Sequence, residues 1–140
     1  MTVLMDCNIV IRCFSSHSPY HLIYKSLIAN KFNLASTPEI ILEYEEILQQ
    51  KYSVTAANSL VAVLLELPNI KFVYPYYNWN LIEVDKDDNK YCDCAIASQS
   101  SYLVTNDRHF DILKSIPFPS ISVITIDEFS NLLLSNLKLV

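Results

Sequence analysis

The chain has 140 residues, 51% of them apolar, with 10 Lys and Arg against 15 Asp and Glu for a formal net charge of −5. That length most simply makes one domain, residues 1–140, long enough to bury about two thirds of its unfolded surface. Glycine is absent, which excludes the P-loop and the G-x-G-x-x-G dinucleotide fingerprint. No apolar run approaches the roughly 20 residues of a membrane span, and no signal peptide is evident at the N-terminus, so a cytoplasmic protein without a membrane partner is expected.

In chain order, TVLMD (2–6) reads as a short buried strand ending at Asp6. SPYHLIYKSLIANK (18–31) carries Leu22, Ile23, Leu27 and Ile28 at helical spacing. FNLAST (32–37) is the second strand, and Pro38 suits the first turn of the helix PEIILEYEEILQQKY (38–52), with Thr37 as its cap. TAANSLVAVLLEL (55–67) is a further helix, IKFVYP (70–75) a third strand, and 76–84 a loop. Asp85, Asp87 and Asp88 start a helix that holds Asp93, where the helix dipole favours negative charge. A strand at 102–105 follows, then a short helix RHFDILKSI, a fifth strand ISVITI (121–126), and an amphipathic helix DEFSNLLLSNL capped by Asp127. Strands alternate with helices, and most strands are continuous apolar runs. The pattern predicts a parallel sheet covered on both faces, an α/β fold.

In such sheets ligands collect outside the carboxyl ends of the strands. Asp6 ends the first strand and Asp107 follows the fourth by two residues, so the two meet if those strands are neighbours. Asp93 lies on the helix feeding the fourth strand and faces the same end if it sits near the helix start. On the helix at 38–52, Glu43 and Glu45 flank the apolar stripe on opposite edges, and periodicity does not choose between them.

Those residues carry a resemblance. A strand ending Asp-x-Asn (Asp6, Asn8), a glutamate in ILEYEEIL, and an Asp on a helix before a strand ending Thr-x-Asp (Thr105, Asp107) together resemble the PIN domain family. DDNKYCDCAIASQSSYLVTND is especially similar to its VapC-like group, the toxins of toxin–antitoxin systems. The resemblance implies a three-layer α/β/α sandwich with a central parallel sheet of about five strands and a metal-dependent ribonuclease activity. It carries catalytic and metal-ligand roles onto Asp6, Glu43, Asp93 and Asp107, choosing Glu43 over Glu45. Asn8 and Thr105 match supporting positions, and Asp88 matches an extra acid of the subgroup. Two positions depart from the family: Cys7 stands where Thr or Ser is usual, and Asn106 where Gly is frequent. Asn tolerates the left-handed backbone that such a turn needs.

Crowded carboxylates repel and take up protons unless a cation joins them. One or two Mg²⁺ or Mn²⁺ ions, hard cations that prefer oxygen, would relieve the repulsion, activate water and stabilise charge developing on a phosphodiester. The negative balance argues against a nucleic-acid partner only until such an ion inverts the local field. Cys92 and Cys94, one residue apart, lack zinc-site spacing, and with Cys7 and Cys13 they read as buried thiols. His17, His21 and His109 read as scattered surface or loop residues, and the aromatics of YPYYNW (74–79) as packing under a loop or against a partner. The expected partners are an RNA substrate, an antitoxin protein and, from the family resemblance, a second copy of the chain. The alternatives are a non-catalytic PIN-like RNA-binding or scaffold module, and a haloacid-dehalogenase-type phosphatase, which wants a second Asp where Asn8 stands.

Overall fold

In the computed structural model, which describes residues 1–138, five strands form one parallel sheet. The elements run β1 (Thr2–Met5), α1 (Cys7–Phe14), α2 (His21–Ile28), β2 (Asn33–Ser36), α3 (Pro38–Lys51), α4 (Val54–Glu66) and β3 (Ile70–Phe72). After a single 3₁₀ turn at Lys86–Asp88 come α5 (Asn89–Ala97), β4 (Tyr102–Val104), a 3₁₀ segment at Arg108–Ser115, β5 (Val123–Ile124) and α6 (Ile126–Lys138). The strand order is β3-β2-β1-β4-β5, with Val3, Leu4 and Met5 facing Tyr102, Leu103 and Val104. Helices pack on the sheet as the alternating pattern requires, α5 lying on β1, β2 and β4 and also meeting α3. This is the α/β/α sandwich expected from the sequence. The chain builds outward from β1 to β3 on one side, then returns to lay β4 and β5 on the other. The switch point therefore falls between β1 and β4, where open α/β sheets place their ligands.

Leu4, Leu34 and Leu103 in the sheet and Ile40, Tyr44 and Phe129 on the helices are all fully buried. The Tyr44 hydroxyl donates to the Met5 carbonyl, fixing α3 against the end of β1. Thr37 caps α3 by accepting from the Ile40 N–H at 3.1 Å, with Pro38 at the first helical position.

Four local expectations are corrected. CNIVIRCF (7–14), unassigned in the sequence, forms α1, because the Asp6 carbonyl accepts from both the Ile9 and Val10 N–H groups and turns strand directly into helix. The third strand stops at Phe72 rather than 75. The short helix after Asp107 is 3₁₀, and the fifth strand is confined to Val123–Ile124 rather than 121–126. The last helix is capped by Thr125, not Asp127: Thr125 Oγ1 accepts from the Glu128 N–H while Glu128 returns its carboxylate to the Thr125 N–H, a capping box. Asp127 instead accepts from the Tyr20 hydroxyl at 2.8 Å.

A glycine-free chain must still end helices. Asn30 (φ 60°) and Gln99 (φ 54°) take the left-handed conformation after α2 and α5. Behind each, the next N–H reaches back five residues, Lys31 to the Ser26 carbonyl and Ser100 to that of Ala95.

Candidate metal centre and the cavity beside it

Asp6 is the pivot between β1 and α1 and is 5% exposed. Its Oδ2 accepts from the Thr105 hydroxyl at 2.9 Å, and the same hydroxyl oxygen accepts the Asp107 N–H at 3.0 Å. Thr105 is itself held by its N–H on the Ile124 carbonyl, so one hydroxyl locks the two acids to adjacent strand ends. Burial raises the Asp6 pKa, the Asp107 charge adds to the rise, and the bonds from Thr105 and Cys7 act against it. Asp6 and Asp107 share a crevice of about 450 Å³ with Asn8, Ile9, Arg12 and Lys51.

Asp107 accepts the His109 N–H at 2.9 Å, which starts the 3₁₀ segment. That places His109 Nδ1 3.2 Å from Asp88 Oδ2 and 3.6 Å from Asp107 Oδ1. The Asp88 pKa is pushed up to about 6 by burial, partly countered by His109, with the charges of Asp85, Asp107 and Asp6 adding to the rise. In turn Asp88 and Asp107 raise the pKa of His109. The structure thus brings Asp6, Asp88 and Asp107 into one electrostatic group with His109 bridging two of them. His109, read from sequence as scattered, was missed. Its signal is the two-residue offset from Asp107 on the turn that leaves β4.

Glu43 projects from α3 toward Asp6; carboxylate oxygens of Asp6 and Glu43 and the Cys7 sulfur all lie within 4.8 Å of one another. Tyr91 donates its hydroxyl to Glu43 Oε1 at 2.6 Å, and Lys90 forms an ion pair with Oε2 while holding Asp87 at 2.9 Å. Burial pushes Glu43 up, but Lys90, Tyr91 and Cys7 outweigh it and leave its pKa below the usual value. Burial and the two neighbouring acids keep Cys7 a thiol, so it supplies a weak donor where a hydroxyl was expected. Glu45 accepts from Gln49 on the surface instead.

Asp93 does not join this group. It sits mid-helix in α5, five residues beyond Asp88, which is about 140° around the axis and roughly 7.5 Å along it. The two side chains therefore leave the helix on different faces. Asp93, 7% exposed, accepts the Trp79 N–H at 3.1 Å and lines a separate cavity of about 530 Å³. Burial raises its pKa with no other acid contributing. The expectation that it shares the Asp6 crevice is corrected; on this helix it is Asp88, at the start, that feels the charges of Asp6 and Asp107. Of the supporting residues, Asn106 Oδ1 accepts the Ile126 N–H at 3.1 Å and ties the β4 loop to α6, while Asn8 is exposed on the crevice rim.

A parallel α/β/α sandwich with three carboxylates gathered at its switch point defines a class of acid-centred α/β proteins. A PIN domain family model matches residues 2–109, and the chain belongs to that family. Among solved structures it is similar to VapBC2 from Rickettsia felis, bound to a DNA fragment from their promoter. The match has 16% identity and a TM-score of 0.62, covering 89% of this chain and 98% of that one. It is also similar to VapC20 of Mycobacterium tuberculosis, a sarcin–ricin loop cleaving toxin, at 12% identity and a TM-score of 0.57, covering 78% and 92%. At such identities the likeness concerns the fold. No curated protein sequence matches the chain. Among the described residues no helix is long and apolar enough to cross a membrane.

Proposed function

We propose that the chain is a metal-dependent endoribonuclease that hydrolyses phosphodiester bonds of single-stranded or structured RNA, and that it is the toxin of a toxin–antitoxin pair. One observation carries the reading: Asp6, Asp88 and Asp107, from three separate segments, lie close enough that their charges raise the pKa values of Asp6 and Asp88. Three acids so placed repel, and an oxygen-seeking cation relieves that repulsion. The donor set fits. It is dominated by hard carboxylate oxygens, Asp6 with Glu43 on one side and Asp85 with Asp88 on the other, which suit Mg²⁺ or Mn²⁺.

Asp6, Asp88 and Asp107 would hold the ion, with Glu43 beside them. When bound, the ion supplies Lewis-acid charge for the phosphodiester and lowers the pKa of water. The remaining work falls to the chain. Thr105 holds Asp6 and Asp107 in fixed relation; His109 holds Asp88 toward Asp107. Arg12 and Lys51, on the wall of the same crevice, offer cations to the flanking phosphates of a strand, and Ile9 and Ile11 exclude water from that wall. Lys90 neutralises Glu43 and keeps it ionised.

The toxin role is supported by the family and by the Rickettsia felis neighbour, which was solved as a VapBC pair. The net charge of −5 and the acid cluster would attract a basic segment of an antitoxin and repel RNA until the ion binds. The test is cleavage of RNA by the purified chain with Mn²⁺ and with chelator, alongside co-purification with the product of the neighbouring gene. Metal-dependent cleavage, inhibited by the partner and restored as metal is raised, is expected. A chain inactive on RNA and harmless on expression contradicts the proposal.

A further inference from the structure

We propose that the cavity lined by Asp93 is a nucleobase pocket selective for guanine, with Asp93 as the residue that reads the base. The inference rests on the nuclease reading of the adjacent crevice and names the substrate feature beside the cleaved bond. The cavity, about 530 Å³, is of the size that takes a small-molecule ligand. Pro38, Val73 and Tyr74 line it with apolar and aromatic surface, and Tyr74 is 63% exposed, free to stack on a base.

Its polar groups are unequal. Asn89 is consumed, donating to the Ile82 carbonyl and accepting the Ile82 N–H, both at 2.9 Å. Lys90 is held by Glu43 and Asp87. Asp93 is 7% exposed, and its Oδ1 takes the Trp79 N–H, but Oδ2 has no hydrogen-bond partner among the described residues. That free oxygen is not sealed in the core but opens on the cavity, where a hydrogen-bond donor of a ligand can reach it. Lys86 also lines the cavity and has no acidic partner within ion-pair distance among the described residues, which leaves its ammonium for a phosphate.

Among the four RNA bases, guanine alone presents two adjacent donors, N1–H and the 2-amino group, on its Watson–Crick edge. Adenine and cytosine place a ring-nitrogen acceptor beside their amino group, and uracil flanks its single N–H with carbonyls. Facing a carboxylate, those acceptors repel. The location also suits a substrate. Lys90 lines this cavity and pairs with Glu43, whose carboxylate reaches the Asp6 cluster, so base pocket and acid crevice are separated by one ion pair. A strand with its phosphate at the acids can therefore turn the neighbouring base into the cavity.

The Trp79 backbone N–H donates to Asp93 while its indole packs on Tyr77 and Phe118 outside the cavity lining, so nucleotide binding is read by calorimetry. The metal-free full chain is titrated with GMP, IMP, AMP, CMP and UMP. GMP should saturate the signal at a concentration roughly ten-fold or more below AMP, CMP and UMP, with IMP, which lacks the 2-amino group, in between. Asp93→Asn should bring GMP to within about two-fold of the others, and Tyr74→Ala should weaken every nucleotide alike. Should Asp93→Asn fail to fold, the wild-type order and Tyr74→Ala still decide. Equal binding of all nucleotides, a GMP preference that survives Asp93→Asn, or no saturable change at millimolar nucleotide overturns the proposal. A parallel assay separates it from the nuclease reading: undiminished cleavage of guanine-free RNA sinks the pocket alone, whereas GMP selectivity in a protein that cleaves nothing sinks the nuclease alone.

Discussion

Asp88 and Asp93 bracket the first turns of the same helix, and each has a pKa raised by removal from water, yet their surroundings differ in kind. Asp88, at the helix start, lies among other charges: His109 on one side, Asp107 and Asp6 beyond it. Asp93, five residues on, feels burial and a single backbone N–H, with no second acid among the causes of its shift. The same carboxyl group is thus one member of a crowded cluster in one place and, in the pocket proposed above, the group that would read a base in the other. Crowding is what makes a cation site, because repulsion among acids is relieved only by positive charge. Isolation makes a recognition site, because one buried acceptor is satisfied by a neutral donor.

The sharpest way to break this comparison is in activity. Asp6→Asn should lower metal-dependent cleavage by more than about 100-fold, beyond what loss of a mere supporting partner costs. Asp88→Asn should fall in the same class, whereas Asp93→Asn should change which RNA is cut while metal-dependent turnover persists. Single-turnover rates on a guanine-containing and a guanine-free RNA measure all three.

Stability comes next. Lys90→Met leaves Glu43, only 18% exposed, without its cation and should cost about 2 kcal/mol at neutral pH. Because Lys90 and its neighbours hold the Glu43 pKa below the usual 4.5, that stabilisation is present above 4.5 and lost as pH falls through the lower folded value. The melting difference between Lys90→Met and wild type should therefore shrink in acid. A difference that stays constant with pH would mean the lysine contributes packing alone.

Asp88 gives the opposite sign. Its folded pKa of about 6 lies above the usual 3.8, so ionisation costs the folded state more than the unfolded one. In metal-free protein, Asp88→Asn should gain on wild type as pH rises from below 3.8 through about 6, then level off. Adding Mn²⁺ should reverse the order, since the ion binds the native carboxylates. Thermal melts across pH, with and without metal, measure it. A control that touches neither acid is Gln99→Gly at the end of α5, where φ is 54°. Relief of the left-handed strain should stabilise by about 1 kcal/mol and leave both sites unchanged in a denaturant titration.

Much of this arrangement is written locally. Asp6 and the Thr105-x-Asp107 unit follow apolar strands whose ends are easy to read, and the Thr37-Pro38 pair announces α3 by its capping chemistry. The alternation of strands and helices gives the parallel sheet. What the sequence left open depends on tertiary phase. Glu43 and Glu45 are equivalent by periodicity, and only the position of β1 beneath α3, fixed by Tyr44, turns Glu43 to the acids. Asp88 and Asp93 stand about 140° apart on a helix that holds both, and only the packing of α5 on β1 and β4 decides which one faces the other acids. His109 could not be drawn in until the turn after Asp107 folded back over Asp88. The helix α1 escaped notice because its eight residues follow Asp6 without a linker, and strand and helix share one apolar run.

In the proposed site the cation belongs to Asp6, Asp88 and Asp107, and Asp93 stands outside it. Calorimetric titration of Mn²⁺ into wild type, Asp88→Asn and Asp93→Asn, each verified as folded, tests it most directly. Wild type and Asp93→Asn should bind the ion with similar affinity, and Asp88→Asn at least about ten-fold more weakly. Loss of Mn²⁺ binding in Asp93→Asn with Asp88→Asn unaffected would contradict it.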